Sequence, residues 1–332
     1  MAKALLNDSS GLEEQLLSPE NAPAMAALNT AWLGDGLVIR LQESLSIDQN
    51  VHLILVSNTT QDGSPIITHP YLVVQIEAGC HATLIESHIG LAPTLTNMVT
   101  SCHVGPNAAL THVIAQSGVP DAHAIGFTTT TVASRGLYQR FVLTTGLGLV
   151  RNELTVTLAG VEAGCRLHGA YTADSNRHVD NTLFVDHAAP ATTSRQMFKG
   201  VLDDSGRGVF QGCIGIRPHA QKSDGHQIHK ALLLSPRAEV DCKPELEIYA
   251  DNIHCSHGAT AGALDEETLF YLRSRGLDAE TARALLIKAF LDDVFEAVDA
   301  PMLSDAARAM VSVWLAGRLT PALTPALTPA HG

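Results

Sequence analysis

The chain has 332 residues, of which 45% are hydrophobic, 17% charged and 5% aromatic, so it can bury one large or two ordinary cores without disulfide or metal staples. Its 34 acidic residues against 21 basic ones give a formal charge of -13, and no Lys/Arg cluster interrupts the acidity, which argues against a nucleic-acid binder that must neutralise phosphates. The opening "MAKALLNDSSGLEEQLL" has early acids and no apolar run ahead of a small-residue cleavage site, and no stretch is apolar enough to span a bilayer, so a cytoplasmic protein without membrane contact is expected.

Residues 1–27 contain two short leucine clusters and many small residues, an arm that forms a helix or packs loosely and carries no evident chemistry. From "LGDGLVIRLQESLSI" onward, β-rich runs such as "VHLILVSNTT", "YLVVQIEAG" and "RFVLTTG" are broken at short intervals by Gly, Asp, Asn or Pro. Strands of about five residues with short, helix-free connections exclude a βαβ fold, whose parallel crossover needs about ten or more residues. A sandwich is the commoner all-β solution, yet so many short strands in one unbroken run leave no domain linker. A β-helix fits better, because each strand stacks on the one a turn earlier without a strict repeat, and no fixed-period repeat is visible. The mainly β core is expected over 28–262.

After Ala263 the periodicity becomes helical. Asp265 reads as an N-cap ahead of Glu266 and Glu267, and Gly276 as the residue that ends the helix. A second helix opens near Asp278, with Leu286, Phe290 and Val294 as its main apolar stripe and Ile287 and Leu291 beside it. Pro301 breaks that helix, and Ser304 is expected to cap a third, "DAARAMVSVWLAGRL", with Met310, Val311, Trp314 and Leu315 apolar. The result is a small helical domain over 263–318, whose stripes pack on one another and the β body or present a partner surface. The tail over 319–332 repeats LTPA three times; its prolines forbid a continued helix, and it reads as disordered.

No G-x-x-x-x-G-K-[ST] loop, strand-linked G-x-G-x-x-G, H-E-x-x-H or G-x-S-x-G motif occurs, so ATP hydrolysis by this chain is not expected. His254, Cys255 and His257 crowd into four positions, and on a strand Cys255 and His257 project to the same face. A thiolate with an imidazole suits zinc, iron or an iron–sulfur intermediate, but a closed tetrahedral site needs four ligands, so further donors must come from another strand or another chain. The plain alternative is a structural thiol beside surface histidines. His226 and His229 would share a helix face but not a strand face; His178, Asp180 and His187 lack a nearby nucleophile and read as turn and ladder residues. The six cysteines are scattered without a CxxC pair and are expected to be thiols, mostly in the core.

The run "DNTLFVDHAAPATTSRQMFKGVLDDSGRGVFQG", followed by "AQKSDGHQIHKALLLSPRAEVDCKPELEIYADNIHCSHGATAGALDEETLFYLRSRGL", resembles the SufB/SufD family of iron–sulfur cluster assembly proteins, over roughly Leu28 to Val298. Gly258 and the LDEE form place the resemblance on the SufD side of the family. It implies a right-handed parallel β-helix with a C-terminal helical region, acting as a non-enzymatic scaffold. It also implies a SufB-like subunit paired through the β-helix ends and a SufC-like ATPase bound by the C-terminal helices, for which Phe270, Tyr271, Arg273, Leu286 and Phe290 are the candidate contacts. Cys255 and His257 match the family's C-x-H positions at the subunit interface, where a transient cluster or iron would sit; no cofactor is expected to be held stably by the chain alone. In isolation a homodimer is conceivable. The short arm and the LTPA tail depart from the family pattern. Two other readings stay open: a β-helix polysaccharide lyase or hydrolase, although aromatics for sugar stacking are few, and a zinc-binding structural protein.

Overall fold

Residues 22–42, 50–297 and 301–319 are described by the structure, a computed structural model; residues 1–21 of the arm and 320–332 of the LTPA tail lie outside them. The chain divides into two compact units, Met1–Ala263 and Leu264–Gly332.

The first unit is a parallel β-solenoid of about seven turns. Its strands alternate between two facing sheets. One contains, in spatial order, β1 (Gly36–Leu41), β4 (Tyr71–Ile76), β6 (Thr94–Val104), β8 (Ala122–Val132), β10 (Leu149–Leu158), β12 (His178–His187), β14 (Arg207–Ile216) and β16 (Glu239–Ile248), with the short β3 (Ile66–Thr68) also paired to β6. The other runs β17 (His254–Gly262), β15 (Asp224–Leu233), β13 (Thr193–Leu202), β11 (Gly164–Ala173), β9 (Leu137–Thr145), β7 (Ala109–Gly118), β5 (His81–Gly90) and β2 (Val51–Ser57). The crossover between parallel neighbours is therefore itself a strand of the opposite sheet, which supplies the connecting length without a helix. Ahead of it, α1 (Ala24–Ala31) covers the outer side of the first sheet: Asn29 donates to the carbonyls of Pro70 at 2.9 Å and Asn97 at 2.7 Å, and Ala26 packs with Tyr71, Val73 and Val99. The β body thus begins at Gly36, not at residue 28.

Strands from β5 onward run nine to eleven residues, about twice the length the sequence suggests. Some glycines lie mid-strand: a Cβ on Gly169 would fall 2.3 Å from the Phe198 ring, so the glycine is room made for an aromatic neighbour. Coil length also drifts, with 26 residues separating paired His123 and Leu149, 29 separating Arg151 and Asp180, and 30 separating His226 and Ser256. That drift hides the repeat from a fixed-period search.

Register is kept across the turns by one corner. Gly79, Asn107, Arg135, Glu162, Ala191 and Lys222 all take positive φ, and each donates its amide to a carbonyl one coil further on: Pro106, Ser134, Val161, Pro190, Gln221 and Asn252. Only Gly79 adopts that conformation without steric cost; the others are held by the ladder of corner hydrogen bonds.

Inside, aliphatic rows form the core, yet the inner face also carries a polar cluster that links neighbouring rows. Glu86 accepts from His112 Nε2 at 2.7 Å and His88 Nε2 at 2.8 Å, while His112 Nδ1 meets the Tyr138 hydroxyl at 3.1 Å. Burial alone would push the Glu86 carboxyl up, but the charges and hydrogen bonds of His112 and His88 outweigh it and hold the group far below its ordinary range.

In the second unit, α2 (Glu266–Ser274) packs on α3 (Ala279–Glu296), and α3 on α4 (Pro301–Leu319). Asp265 caps α2 by accepting from the Glu267 amide at 3.1 Å, Asp278 caps α3 through the Thr281 amide at 2.8 Å, and Gly276 has φ +92°. Two expectations are corrected. Helix α4 opens at Pro301, suited to a first turn because it lacks an amide hydrogen, so Ser304 lies within it and donates to the Phe295 carbonyl at 2.8 Å instead of capping. Because α3 lies between two helices, its buried face is Ala282, Ile287, Leu291, Val294 and Phe295, and Leu286 and Phe290 are only half-buried at its margin.

Glu86→Ala would leave the buried His112 and the half-buried His88 without their carboxylate and should cost roughly 3–5 kcal/mol in urea unfolding. A loss under about 0.5 kcal/mol would show the pairs to be dispensable. Since the folded carboxyl is held down, its contribution should be fully present above about pH 4.3 and be lost only as pH falls towards the depressed folded value.

Candidate functional site

Side chains of one sheet stack in rows because pairing is in register, so each inner row leads to whatever residue the last strand supplies. The row Ala82, Leu110, Tyr138, Cys165, Ser194, Gly225 ends in Cys255. Its neighbour, Leu84, His112, Arg140, Leu167, Gln196, Gln227, ends in His257. The structure thus brings Cys255 and His257 to one face, two residues apart on β17, as alternation predicts. Strand β17 pairs with β15 on one side and with no strand on the other among the described residues, and β16 likewise ends its sheet. The two strands form an open edge, and Pro244, which has no amide to donate, sits in β16 where such a residue is tolerated.

Cys255 is half-buried, packed beside Ile214, Ile216, Ala220 and Ala250, while His254 and His257 are exposed. The thiol is therefore seated but reachable. Burial raises its pKa, a hydrogen bond with the Gly225 backbone lowers it, and nearby Asp224 raises it again, which keeps the group a thiol at neutral pH. On the outer face Arg195 donates to Asp224 at 2.6 Å, Asp224 meets His226 Nε2 at 2.8 Å, and His226 Nδ1 lies 2.5 Å from the Ser256 hydroxyl. This chain ties the edge strand to the two strands beneath it. The hydrogen bond from Arg195, opposed by burial, and the pairing with His226 hold the Asp224 carboxyl below its usual range.

His226 and His229 point to opposite faces, as their spacing requires: His226 lies outside with Asp224 and Ser256, and His229 is buried inside. Asp180 accepts from Arg151 at 2.7 Å as a ladder residue, and His187 is enclosed in a turn by Thr192 and Ser194. Among the described residues, no three His, Cys, Asp or Glu side chains are gathered so as to hold a metal ion. Nor is any described helix long and apolar enough to cross a membrane. In the helical unit Phe270, Tyr271 and Arg273 are exposed on α2, with Phe270 74% accessible, while Leu286 and Phe290 lie half-buried on α3. Sequence reasoning missed the buried Glu86 cluster, whose signal lay in Glu86, His112 and Tyr138 recurring one coil apart, and the pairing of Cys242 with His229, which has no such signal.

The fold is that of a parallel solenoid whose last strand carries a thiol and an imidazole and has one free edge among the described residues. Residues 57–290 match the family described as SUF system FeS cluster assembly, SufBD core domain. The chain is 32% identical over 298 residues to an iron-sulfur cluster assembly SufBD family protein of Synechocystis, an alignment covering 86% of this chain and 65% of that protein. It is also 32% identical to the iron-sulfur cluster assembly protein SufD of Escherichia coli, over 74% of this chain and 58% of that one. With the chloroplastic protein ABCI7 of Arabidopsis thaliana it shares 30% identity, over 85% of this chain and 61% of the relative. The chain belongs to the SufB/SufD family, and it spans about three fifths of the length of these relatives.

Removing the negative charge of Asp224 should lower the Cys255 pKa. Asp224→Asn is expected to speed iodoacetamide modification of Cys255 at pH 7.5 by about two- to threefold, followed by peptide mass mapping. An unchanged or slower rate would place the carboxylate outside the electrostatic reach of the thiol.

Proposed function

We propose that the chain is a non-enzymatic, cytoplasmic scaffold subunit of a SUF-type iron–sulfur cluster assembly complex, pairing edge to edge with a SufB-like subunit and binding a SufC-like ATPase. One observation carries this reading: Cys255 and His257 lie together on the edge strand β17, at the open end of the solenoid. A thiolate and an imidazole suit iron but fill half of a tetrahedral site. Strand addition along the free edge is a general mode of docking and would bring a second subunit's donors to the same face. Iron and sulfide are the cargo of such a shared site and are passed on, not retained.

Family membership supports the assembly role, and the lack of a phosphate-binding loop supports an ATPase in a separate chain. The exposed aromatics of α2, Phe270 and Tyr271, together with Arg273 and the half-buried Leu286 and Phe290, form the surface assigned to that ATPase. Differential affinity of the partner for two arrangements of these helices is what would couple nucleotide binding to access at the edge.

In a strain lacking its own copy, Cys255→Ala and His257→Ala should still co-purify with a SufB-like subunit. The complexes should carry iron and acid-labile sulfide reduced at least about tenfold. Full assembly by either variant would overturn the role of these residues. Phe270→Ala with Tyr271→Ala should release the ATPase while leaving the SufB-like subunit bound; retention of the ATPase would contradict the assigned surface.

A further inference from the structure

Cys242 on β16 continues the inner row that runs through Asn152, Asn181 and Phe210. Its Sγ lies 3.0 Å from Nδ1 of His229, and Nε2 of the same ring is 2.9 Å from the Tyr171 hydroxyl. His229 and Tyr171 are each 1% exposed, and the imidazole is stacked on Phe210 with centroids 4.6 Å apart. Room for this arrangement is built into the backbone: a Cβ on Gly200 would fall 2.3 Å from Tyr171 Cζ, and one on Gly208 would fall 2.8 Å from its Cε2. The thiol itself is half-buried on the last strand of its sheet.

We propose that Cys242 is a base-assisted nucleophilic thiol and that its substrates are small disulfides, making it a site of mixed-disulfide formation. The three side chains have the arrangement this chemistry needs: a nucleophile within hydrogen-bond reach of a base, and the base oriented by a third group. Burial and nearby Asp241 raise the Cys242 pKa, so the group is a thiol at neutral pH and its attack depends on a base; burial keeps His229 neutral, with a pKa lowered to about 4, and keeps the Tyr171 hydroxyl protonated. With the ring proton on Nε2 and donated to Tyr171, Nδ1 is free to accept the thiol proton. In the step, the Cys242 S–H proton passes to Nδ1 as Sγ bonds to one sulfur of the disulfide. The disulfide's S–S bond breaks, and the departing thiolate takes the proton back from the imidazolium. Cys242 is oxidised to the mixed disulfide and the small disulfide is reduced to one thiol. Exchange at sulfur spreads charge over the sulfurs and demands no array of oxyanion donors, which suits a thiol set among aromatic rings.

This goes beyond the scaffold reading and stands without it, since neither Cys255 nor His257 takes part. The test uses the free 332-residue chain with glutathione disulfide, following glutathione addition at each cysteine by peptide mass mapping. Cys213, half-buried on β14 with its pKa raised to about 11 by burial, Glu247 and Glu245, is the internal comparison. Cys242 should react at least about tenfold faster than Cys213, with a rate that rises less than tenfold per pH unit because the base removes the proton in the step. His229→Asn should slow Cys242 by about tenfold and restore a tenfold rise per pH unit, with the Cys213 rate unaltered. Cys255→Ala should leave the Cys242 rate unaltered. A wild-type chain in which Cys242 reacts no faster than Cys213 would overturn the proposal, as would a His229→Asn chain with the same rate and pH profile.

Discussion

In-register parallel pairing from coil to coil is the constraint on which the rest depends. A shift of one residue on any strand would send its inner row outside and its outer row in, so the position of every side chain at the open end is inherited from the coils beneath. The corner residues with positive φ secure this register, because each corner amide is tied to the next coil's carbonyl. Cys255 therefore projects inward because Gly225, Ser194 and Cys165 do, and His257 because Gln227 and Gln196 do.

The same constraint shapes the interior. Many buried polar groups find their partners within the stack, as with Glu86 between His88 and His112, or Gln116 with Thr144 and Asn152, although the amide of Gln196 is buried without a hydrogen bond. Glycines at Gly169, Gly200 and Gly208 give up side-chain contact so that Phe198 and Tyr171 can lie across neighbouring coils. The end of the solenoid is chemically unlike its middle for a simple reason: the last coil has a neighbour on one side only, so inward-facing groups there are reachable. Cys242 and Cys255 are half-buried, whereas Cys80, Cys102 and Cys165 are sealed within earlier coils.

Much of this was legible in the residues. Short β-rich runs without helical crossovers pointed to a solenoid, Asp265, Gly276 and Asp278 marked helix ends that the structure keeps, and two-residue alternation put Cys255 and His257 on one face. What stayed hidden depends on contacts between coils of unequal length. The strands looked half as long as they are because sequence alone does not show that a mid-strand glycine such as Gly169 is space for a ring from the next coil. The pairing of Cys242 with His229 crosses from one sheet to the other, and no spacing along the sequence encodes it. Ser304 misled because its cap-like position ignores Pro301, which already starts the helix.

Hydrogen exchange of the free chain, resolved by residue, tests the central claim most directly. If β17 is the register-locked final strand of the stack, alternate amides that face β15 should be protected while the other set exchanges rapidly, and both sets should be protected in the interior strand β11. Uniform protection along β17, or uniform rapid exchange, would contradict an edge held in register on one side and open on the other.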